Sequence, residues 1–506
     1  MLDLTYVPVT GWPPLAWLAR CREHADVVTI FHGSRVETRP DWFCEGAWDG
    51  PFEAGGLDET DLFFGSGGRI RAPSLQFVSS YGTLDRLHSI RTGREAWISN
   101  SLPCLASAVG ASANPTYASY TFDFRSIQRG LDDYVDTLST SAGPTRLTYH
   151  RTLQWTGRAL ELSERRSPRR DFGSFDAYRR FLEATLRGVI ANASDGGRIH
   201  RYPVSAALSS GYDSPAIAVL ARPLGLERTF GLRTDRLGDP DDGRPIARRL
   251  GLEHTVLERG RWHGDTDLVA TFLAADANGS DLDLSAAAPH LAGTLFLSGT
   301  GGLAAWQRRG PEPGDGRFGR RDSSGLSLQE YRLHQGFLHV PVPLLGLTRA
   351  DELRALAASS EMEPWSVDGV YNRPVPRRIL EEAGIPRGSF ATAKRGVSLL
   401  LSHPDLLWKP WSEPYLGWLG TRKAAWLRNG RIPPRWSSAA AAPARPAARA
   451  VAAGLETLGG RRTRRWGLHR QLSRFASREY LYLFLFPWAL ERLEARYRAD
   501  EVLGGD

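Results

Sequence analysis

Residues 202–221 read YPVSAALSSGYDSPAIAVLA, and this stretch decides the fold. The apolar run 204–208 is long enough for one buried strand and too short for a helix. Small and hydroxyl-bearing residues follow at 209–214, and Pro215 then suits the first turn of a helix that continues through 216–221. The sequence therefore predicts a strand, a narrow loop and a helix in direct succession.

A loop in this position is suited to binding phosphate. The first N–H groups of a helix have no partner within the helix, and the helix dipole is positive at that end. We expect free backbone N–H groups of this loop to point at one spot that no bulky side chain blocks. The alternative is an ordinary Ser/Gly turn between a strand and a helix.

Helices and strands alternate through this half of the chain. Phe175–Ala193 carries apolar residues at helical spacing, which predicts a helix that leads into strand 204–208. Strands are predicted at 229–232 and 254–257, with a helix at 239–251 between them. Short strands joined by helices indicate a doubly wound parallel sheet of the α/β class, in which ligands bind beyond the carboxyl ends of the strands.

The loop at 209–214 resembles the S-G-G-x-D-S motif of the ATP pyrophosphatases of the PP-loop family. The resemblance is closest to the synthetase domain of asparagine synthetases, β-lactam synthetases and lasso-peptide cyclases, although Ser210 replaces the first glycine. It implies that the protein binds ATP and Mg²⁺ and that Asp213 is a catalytic magnesium ligand. The loop residues that would hold the pyrophosphate of ATP are Ser209, Ser210, Gly211, Tyr212, Asp213 and Ser214. An adenine pocket would be lined by Val204, Leu208, Gly231, Leu232 and Arg233.

A second glycine-rich loop lies within residues 295–306, which read LFLSGTGGLAAW and again predict a strand, a loop and a helix. This stretch is similar to the S-G-E-G-x-D-E loop of the same family, which carries the second magnesium-binding aspartate. The resemblance assigns nucleotide binding to the residues that it retains, Ser298, Gly299 and Gly301.

The same stretch departs from the family at its acidic positions, where Thr300, Leu303 and Ala304 stand instead of Glu, Asp and Glu. Magnesium requires oxygen ligands, and leucine supplies none. A carboxylate from the preceding residues GSDLDLS, Asp281 or Asp283, is a candidate replacement. Acidic side chains in such a turn are more often simply solvated.

A lysine completes the resemblance. Residues 371–398 predict a helix at 377–383, which Gly384 closes, and then a loop that contains Lys394. In the family, a lysine at this place contacts the α-phosphate and the departing pyrophosphate, so the resemblance assigns a catalytic role to Lys394. The chain has only two other lysines, Lys409 and Lys423. A solvated surface lysine is the alternative.

Residues 1–165 predict a β-rich domain, with short strands at 27–31, 75–79 and 96–99 between turn-forming residues. The domain is similar to the glutamine amidotransferase (Ntn-type) domain of asparagine synthetases, which begins with a nucleophilic cysteine. Here Met1 is followed by Leu2, and the nearest cysteine is Cys21. A nucleophile of this type also uses its own α-amino group as the base, so we expect no glutaminase activity.

Composition bounds the remaining questions. The chain has 506 residues and a net charge of +8. After the first domain we predict a PP-loop domain at 170–430. It is followed by an Ala/Pro/Arg-rich linker and an aromatic tail at 431–506. The three cysteines predict no disulfide framework or zinc site. The absence of a long apolar run predicts no membrane span and a cytoplasmic protein. The basic net charge could indicate nucleic-acid binding, but it suits a protein that binds ATP equally well, and we expect no nucleic-acid partner. The protein could form a homo-oligomer.

These features together predict an ATP-dependent ligase that forms amide bonds. It would adenylate a carboxylate of a small molecule or peptide, release pyrophosphate, and let an amine attack, as in natural-product biosynthesis. The alternative is a non-catalytic homologue that binds a nucleotide or a partner protein. In that case Leu303, in place of the metal-binding aspartate, would mark the loss of catalytic activity.

Overall fold

The structure is a computed structural model. The residues that it describes are 2–114, 117, 119–165, 167–308, 318–320, 322–369, 371–390, 398–399, 407, 409–428, 444, 447–448, 450–451, 454–455, 482 and 484–498. Within these residues, a β-rich N-terminal part precedes a part that is built on a parallel sheet. The mixed α/β architecture predicted from the sequence is therefore confirmed.

The N-terminal part contains thirteen strands in two sheets among the described residues. They are β1 Asp3–Pro8, β2 Trp17–Arg22, β3 Val27–His32, β4 Glu37–Thr38, β5 Trp42–Trp48, β6 Phe63–Arg71, β7 Ser74–Val78, β8 Leu87–Thr92, β9 Glu95–Ser99, β10 Thr137–Thr140, β11 Gly143–Thr148, β12 Arg151–Trp155 and β13 Leu160–Glu164. One sheet has the order β1-β3-β2-β9-β8-β11-β10, and the other has the order β13-β12-β7-β6-β5-β4. All pairs except β1 with β3 are antiparallel, and the strands predicted at 27–31, 75–79 and 96–99 are β3, β7 and β9.

The two sheets pack face to face through apolar side chains that alternate with outward-facing ones. Trp17 of β2 lies at their centre, where its ring stacks on Phe77 at 6.1 Å and meets the edge of Phe43 at 5.0 Å. Cys21 is fully buried in the same core, and burial raises the pKa of its thiol. A buried neutral thiol is a poor nucleophile, so Cys21 is not placed to act as one.

The second part is organised by five parallel strands, β14 Val204–Ala207, β15 Arg228–Leu232, β16 Glu253–Leu257, β17 Leu295–Ser298 and β18 Leu338–Pro341. The strand order is β16-β15-β14-β17-β18, so β14 is central. The chain moves outward from β14 to β16 and then returns to the opposite side of β14. The loops after β14 and β17 therefore meet where the order reverses, which is the position where such sheets bind ligands.

Helices surround the sheets and fill the space between the two parts. In chain order they are α1 Leu102–Val109, α2 Tyr120–Ser126, α3 Phe175–Ala193, α4 Asp213–Ala221, α5 Arg244–Leu250, α6 Thr266–Asp276, α7 Ala288–Leu291, α8 Gly302–Ala305, α9 Gln329–Gln335, α10 Ala350–Ala358, α11 Pro374–Glu382, α12 Ser412–Arg428 and α13 Leu485–Glu494. The predicted helix at 239–251 is shorter than expected, because it begins only at Arg244. None of the helices in the described ranges is both long and apolar enough to cross a bilayer.

The C-terminal helix α13 docks on the rest of the chain, as expected for an apolar terminal helix. Trp488 packs against Trp411 at 6.1 Å, and Tyr497 meets Trp12 of the N-terminal part at 5.6 Å. Most of the linker and tail predicted at 431–506 lies outside the described residues.

A buried ion cluster joins the two parts. Arg332 of α9 is 1% exposed and donates to Glu45 of β5 from Nη1 at 2.5 Å and from Nη2 at 3.0 Å. Its Nε lies 3.0 Å from the carboxylate of Asp85. The neighbouring Glu330 accepts hydrogen bonds from Ser101 Oγ at 2.9 Å and from the N–H of Leu102 at the start of α1. Charges of α9 thus bind β5 and α1 together.

We expect Arg332→Ala to destabilise the protein by about 3–5 kcal/mol, because it leaves buried carboxylates without their counter-ion. The control is Arg354→Ala, which removes an exposed arginine paired with Asp351 on α10 and should change stability by less than about 1 kcal/mol. Guanidinium denaturation followed by tryptophan fluorescence measures both. Equal effects of the two substitutions would show that the buried cluster contributes no more than a surface pair.

Candidate functional site

The first glycine-rich loop connects the end of β14 to α4, as the sequence predicts. Strand β14 ends at Ala207, and α4 begins at Asp213 with Pro215 in its first turn. No side chain caps this helix, so the N–H groups of its first residues keep the orientation that attracts anions. The loop therefore provides a helix N-terminus at the carboxyl edge of the sheet.

The N–H groups before the helix are not free, which corrects the expectation for this loop. Each donates to a side-chain oxygen: Ser209 to Ser214 Oγ at 3.1 Å, Ser210 to Asp241 Oδ1 at 2.9 Å, Gly211 to Ser209 Oγ at 3.3 Å and Tyr212 to Tyr371 Oη at 3.3 Å. Three acceptors are hydroxyl groups, which can rotate and pair with another group. The fourth is the carboxylate of Asp241, which also accepts from Ser210 Oγ at 2.7 Å.

The second loop connects β17 to the short helix α8. Ser298 ends the strand, and Gly301 has a φ of +91°, a conformation that glycine adopts without strain. Ser298 Oγ lies 2.7 Å from Nε2 of His339, a buried residue of β18. Burial lowers the pKa of His339 to about 3, so the imidazole is neutral at pH 7 and fixes the serine hydroxyl by a neutral hydrogen bond.

The two loops touch, and the absence of side chains at their glycines allows it. A Cβ on Gly299 would lie 3.1 Å from Cβ of Asp213 and 3.3 Å from the N atom of Ser214. A Cβ on Gly302 would lie 2.3 Å from Oδ2 of Asp213. The glycines of the second loop are therefore required for its close approach to the start of α4.

The loops line one cavity of about 210 Å³. Seven residues predicted from the two motifs lie on its wall: Ser209, Gly211, Asp213, Ser214, Ser298, Gly299 and Gly301. The wall also includes Asp241, Asp281, Asp322, Ser324 and Tyr371, which come from four other segments of the chain. The two separately predicted motifs thus form one site.

Asp213 does not face the cavity as a free carboxylate. Its Oδ2 forms an ion pair with Nη1 of Arg373, the residue that precedes α11, while its Oδ1 is buried without a hydrogen-bond partner among the described residues. Arg373 is fully buried, and burial lowers its pKa to about 10, so the guanidinium is still charged at pH 7. Asp213 therefore retains one oxygen for a metal ion or another ligand.

The candidate replacement carboxylates have structural partners. Asp281 lines the cavity, but it accepts from the N–H of Gly325 at 2.9 Å and from Ser327 Oγ at 2.7 Å. Asp283 pairs with Arg259 and accepts from Trp262 Nε1 at 2.7 Å. Neither side chain is simply solvated, and Asp283 is not part of the cavity wall.

A site for two magnesium ions does not fit these residues. Thr300 and Leu303 line the cavity, and neither supplies a carboxylate. Within the described ranges, no three His, Cys, Asp or Glu side chains form a group that could hold a metal ion. One ion is compatible with the free Oδ1 of Asp213 if the remaining ligands are phosphate oxygens and water.

Other predicted residues are not part of the cavity wall. They are Val204, Leu208, Ser210, Tyr212, Gly231, Leu232 and Arg233. The ring of Tyr212 stacks on Tyr371 at 5.0 Å, so it attaches the first loop to the segment before α11. Gly231 lies against the carbonyl oxygen of Leu208, and the exposed Arg233 pairs with Glu258. The role of Ser210 and Tyr212 in holding pyrophosphate, and that of the other five residues in adenine binding, stay predictions.

Lys394 lies outside the described residues, and its catalytic role also stays a prediction. Sequence reasoning missed Arg373, Asp241, Tyr371 and His339. A buried arginine two residues after a tyrosine carries no motif, and Asp241 falls within a stretch that was predicted to be helical. Only the packing of distant segments brings these side chains to the loops.

Comparison with known proteins gives no family: no family model matches the chain, and no curated protein matches it. Among solved structures, a predicted subunit of tRNA methyltransferase from Methanocaldococcus jannaschii is similar to 39% of this chain and 97% of that chain. The two share 18% sequence identity, with a TM-score of 0.20.

We expect Gly302→Ala to destabilise the protein by about 1–3 kcal/mol, because its methyl group would overlap Asp213 Oδ2 and lie 2.6 Å from Arg373 Nη1. The matched control is Gly417→Ala on the exposed face of α12, where no atom lies within 4 Å of the added Cβ. That substitution should be neutral or slightly stabilising. Thermal denaturation compares the two, and an unchanged midpoint for Gly302→Ala would contradict the close contact of the loops.

Proposed function

We propose that the protein is an ATP-dependent ligase that forms an amide bond through an acyl-adenylate. A carboxylate oxygen of the substrate attacks the α-phosphorus of ATP, and the bond from that phosphorus to the oxygen bridging to the β-phosphate breaks. Pyrophosphate leaves, an amine attacks the activated carbonyl carbon, and AMP leaves with its oxygen. The asparagine synthetase-like motifs of the sequence are the reason for this choice of chemistry.

One observation carries the proposal: the two loops that the motifs single out line the same cavity at the carboxyl ends of β14 and β17. The cavity also lies at the N-terminus of α4, where an anion is favoured by the helix dipole and by N–H groups without helical partners. Loops that follow adjacent parallel strands meet in any such sheet, and here both consist largely of small residues, which leaves a cavity beside the helix N-terminus. The convergence supports binding of a polyphosphate.

Magnesium would be held by the free oxygen of Asp213 together with phosphate oxygens. When bound, it neutralises phosphate charge as pyrophosphate departs. The chain itself contributes the hydroxyl groups of Ser209 and Ser214, which lie 2.9 Å apart at the start of α4 and can turn towards a phosphate. Lys394 is proposed to stabilise the charge of the leaving group.

The test uses ATP labelled on its α-phosphate, magnesium, hydroxylamine as a general amine, and pools of carboxylic acids and peptides. We expect labelled AMP and an equal amount of a hydroxamate with at least one pool. Formation of ADP in step with product would contradict the proposal, because it requires attack on the γ-phosphate. Failure of every pool together with failure to bind α,β-methylene-ATP in calorimetry would also overturn it.

Asp213→Asn should lower AMP formation by roughly a hundredfold or more, since the amide cannot supply the anionic oxygen to magnesium. The amide keeps the shape of the side chain, and circular dichroism and the melting temperature verify that the fold is retained. Asp351→Asn is the matched control, because that carboxylate lies on α10 with 92% of its side chain exposed. Full activity of Asp213→Asn would remove this carboxylate from the mechanism.

Glutamine should not replace a free amine as the nitrogen donor, because the only cysteine near the N-terminus is buried in the sheet core. Incubation with ATP and glutamine should release no glutamate above the level of a protein-free sample. Release that survives Cys21→Ala would reveal a nucleophile other than this thiol.

The second candidate function is nucleotide binding without chemistry. Leu303 in the cavity wall and the carboxylate of Asp241 on the N–H of Ser210 favour it, because both reduce the stabilisation of phosphate charge. The experiments separate the two functions. Binding of α,β-methylene-ATP without AMP formation from any pool supports the binding protein, and AMP formation supports the ligase.

A further inference from the structure

Arg373 is held rigidly at the junction of the two loops. It is fully buried, and its Nη1 pairs with Asp213 of the first loop. Its Nε donates to Oε1 of Gln307 at 3.3 Å, and its guanidinium lies 5.0 Å from the ring centre of Tyr371, which lines the cavity. Its Nη2 has no hydrogen-bond partner among the described residues. A buried guanidinium therefore places an incompletely satisfied positive charge directly behind Asp213 and Tyr371, two residues of the cavity wall.

The guanidinium lies between the two loops. The position of a Cβ on Gly302 is 2.6 Å from Arg373 Nη1 and 2.3 Å from Asp213 Oδ2, so the ion pair rests directly on the backbone at the start of α8. One residue further along stands Leu303, which has no carboxylate to offer a metal ion. A metal ion bridging Asp213 Oδ2 to this part of the second loop would have to displace Arg373.

The charges agree with this geometry. Arg373 neutralises the charge of Asp213, so this carboxylate attracts a divalent cation less than an unpaired one would. A triphosphate brings about four negative charges, and each cation fixed beside it replaces part of the stabilisation that a metal ion supplies. An arginine that is already buried and held in place loses little further conformational entropy when the phosphates bind.

We propose that Arg373 takes the place of the second magnesium ion, so that this site binds ATP with a single divalent cation. The proposal rests on the proposed function insofar as a nucleotide must occupy the cavity. Arg373 acts as a positioning residue that holds Asp213 and adds positive charge beside the pyrophosphate. Under this proposal, the ligand of the site is a polyphosphate that carries one metal ion.

The test counts Mn²⁺, which reports on the magnesium sites by electron paramagnetic resonance. The protein is titrated with Mn²⁺ in the presence of saturating α,β-methylene-ATP, and bound metal is divided by protein-bound nucleotide. We expect one Mn²⁺ per bound nucleotide in the natural chain. Two would overturn the inference and leave the proposed function intact, whereas failure to bind the nucleotide at all would overturn the proposed function.

Variants isolate the role of the arginine. Arg373→Gln should weaken binding of metal-free pyrophosphate by roughly tenfold or more, because the positive charge behind the cavity wall is lost. Arg373→Lys keeps the charge and should stay within about threefold of the natural chain in the same assay. The matched control is Arg378→Gln in α11, since Arg378 pairs with Glu361 and Glu382 and not with a residue of the cavity wall.

A final pair of variants tests the exchange of arginine for metal. Leu303→Asp alone should leave one Mn²⁺ per nucleotide, because we expect the new carboxylate to pair with Arg373 instead of binding a metal ion. Leu303→Asp combined with Arg373→Gln should admit a second Mn²⁺. A second ion in Leu303→Asp alone, or an equal loss of pyrophosphate affinity in Arg373→Gln and Arg378→Gln, would contradict the role of Arg373. Melting temperatures identify any variant that fails to fold, and the count in the natural chain decides independently of all variants.

Discussion

The ion pair between Asp213 and Arg373 is the contact on which the site depends. A buried charge without its partner costs several kcal/mol, so the first residue of α4 and the residue before α11 must stay together. The aromatic contact of Tyr212 with Tyr371 reinforces the same junction. The second loop can meet this pair only through glycine, since any Cβ at Gly302 would overlap the carboxylate. Charge pairing and the lack of a side chain thus fix the two loops together.

The N-terminal sheets support this junction from a distance. Tyr81 accepts a hydrogen bond from the N–H of Gly346 at 3.0 Å and donates to the carbonyl of Leu344 at 3.3 Å. The side chain of Leu344 in turn occupies the space where Gly301 would carry a Cβ. A rigid β-rich domain therefore braces the second loop through two residues. This gives the domain a structural reason to persist whether or not it has chemistry of its own.

The sequence predicted much of this architecture because periodicity and turn residues are local properties. The strand and helix around Asp213 and the glycine loop after β17 followed from spacing alone, and both motifs reached the same cavity. The helix predicted at 239–251 began too early, because its first residues instead bring Asp241 to the N–H of Ser210. That contact is tertiary, and no local pattern encodes it. The same holds for Arg373, whose partner lies 160 positions earlier in the sequence.

Leu303 stands where the motif that this sequence resembles has an aspartate, and its surroundings in the fold give this difference a second interpretation. From sequence alone, an apolar residue at a family metal position suggests that chemistry has decayed. In the fold, the preceding residue Gly302 lies against the ion pair of Asp213 and Arg373. Under our proposal that Arg373 supplies positive charge in place of a second metal ion, a carboxylate at position 303 would compete with Asp213 for the guanidinium, and Asp213 would lose part of its counter-ion. An apolar residue at position 303 is consistent with that role of Arg373.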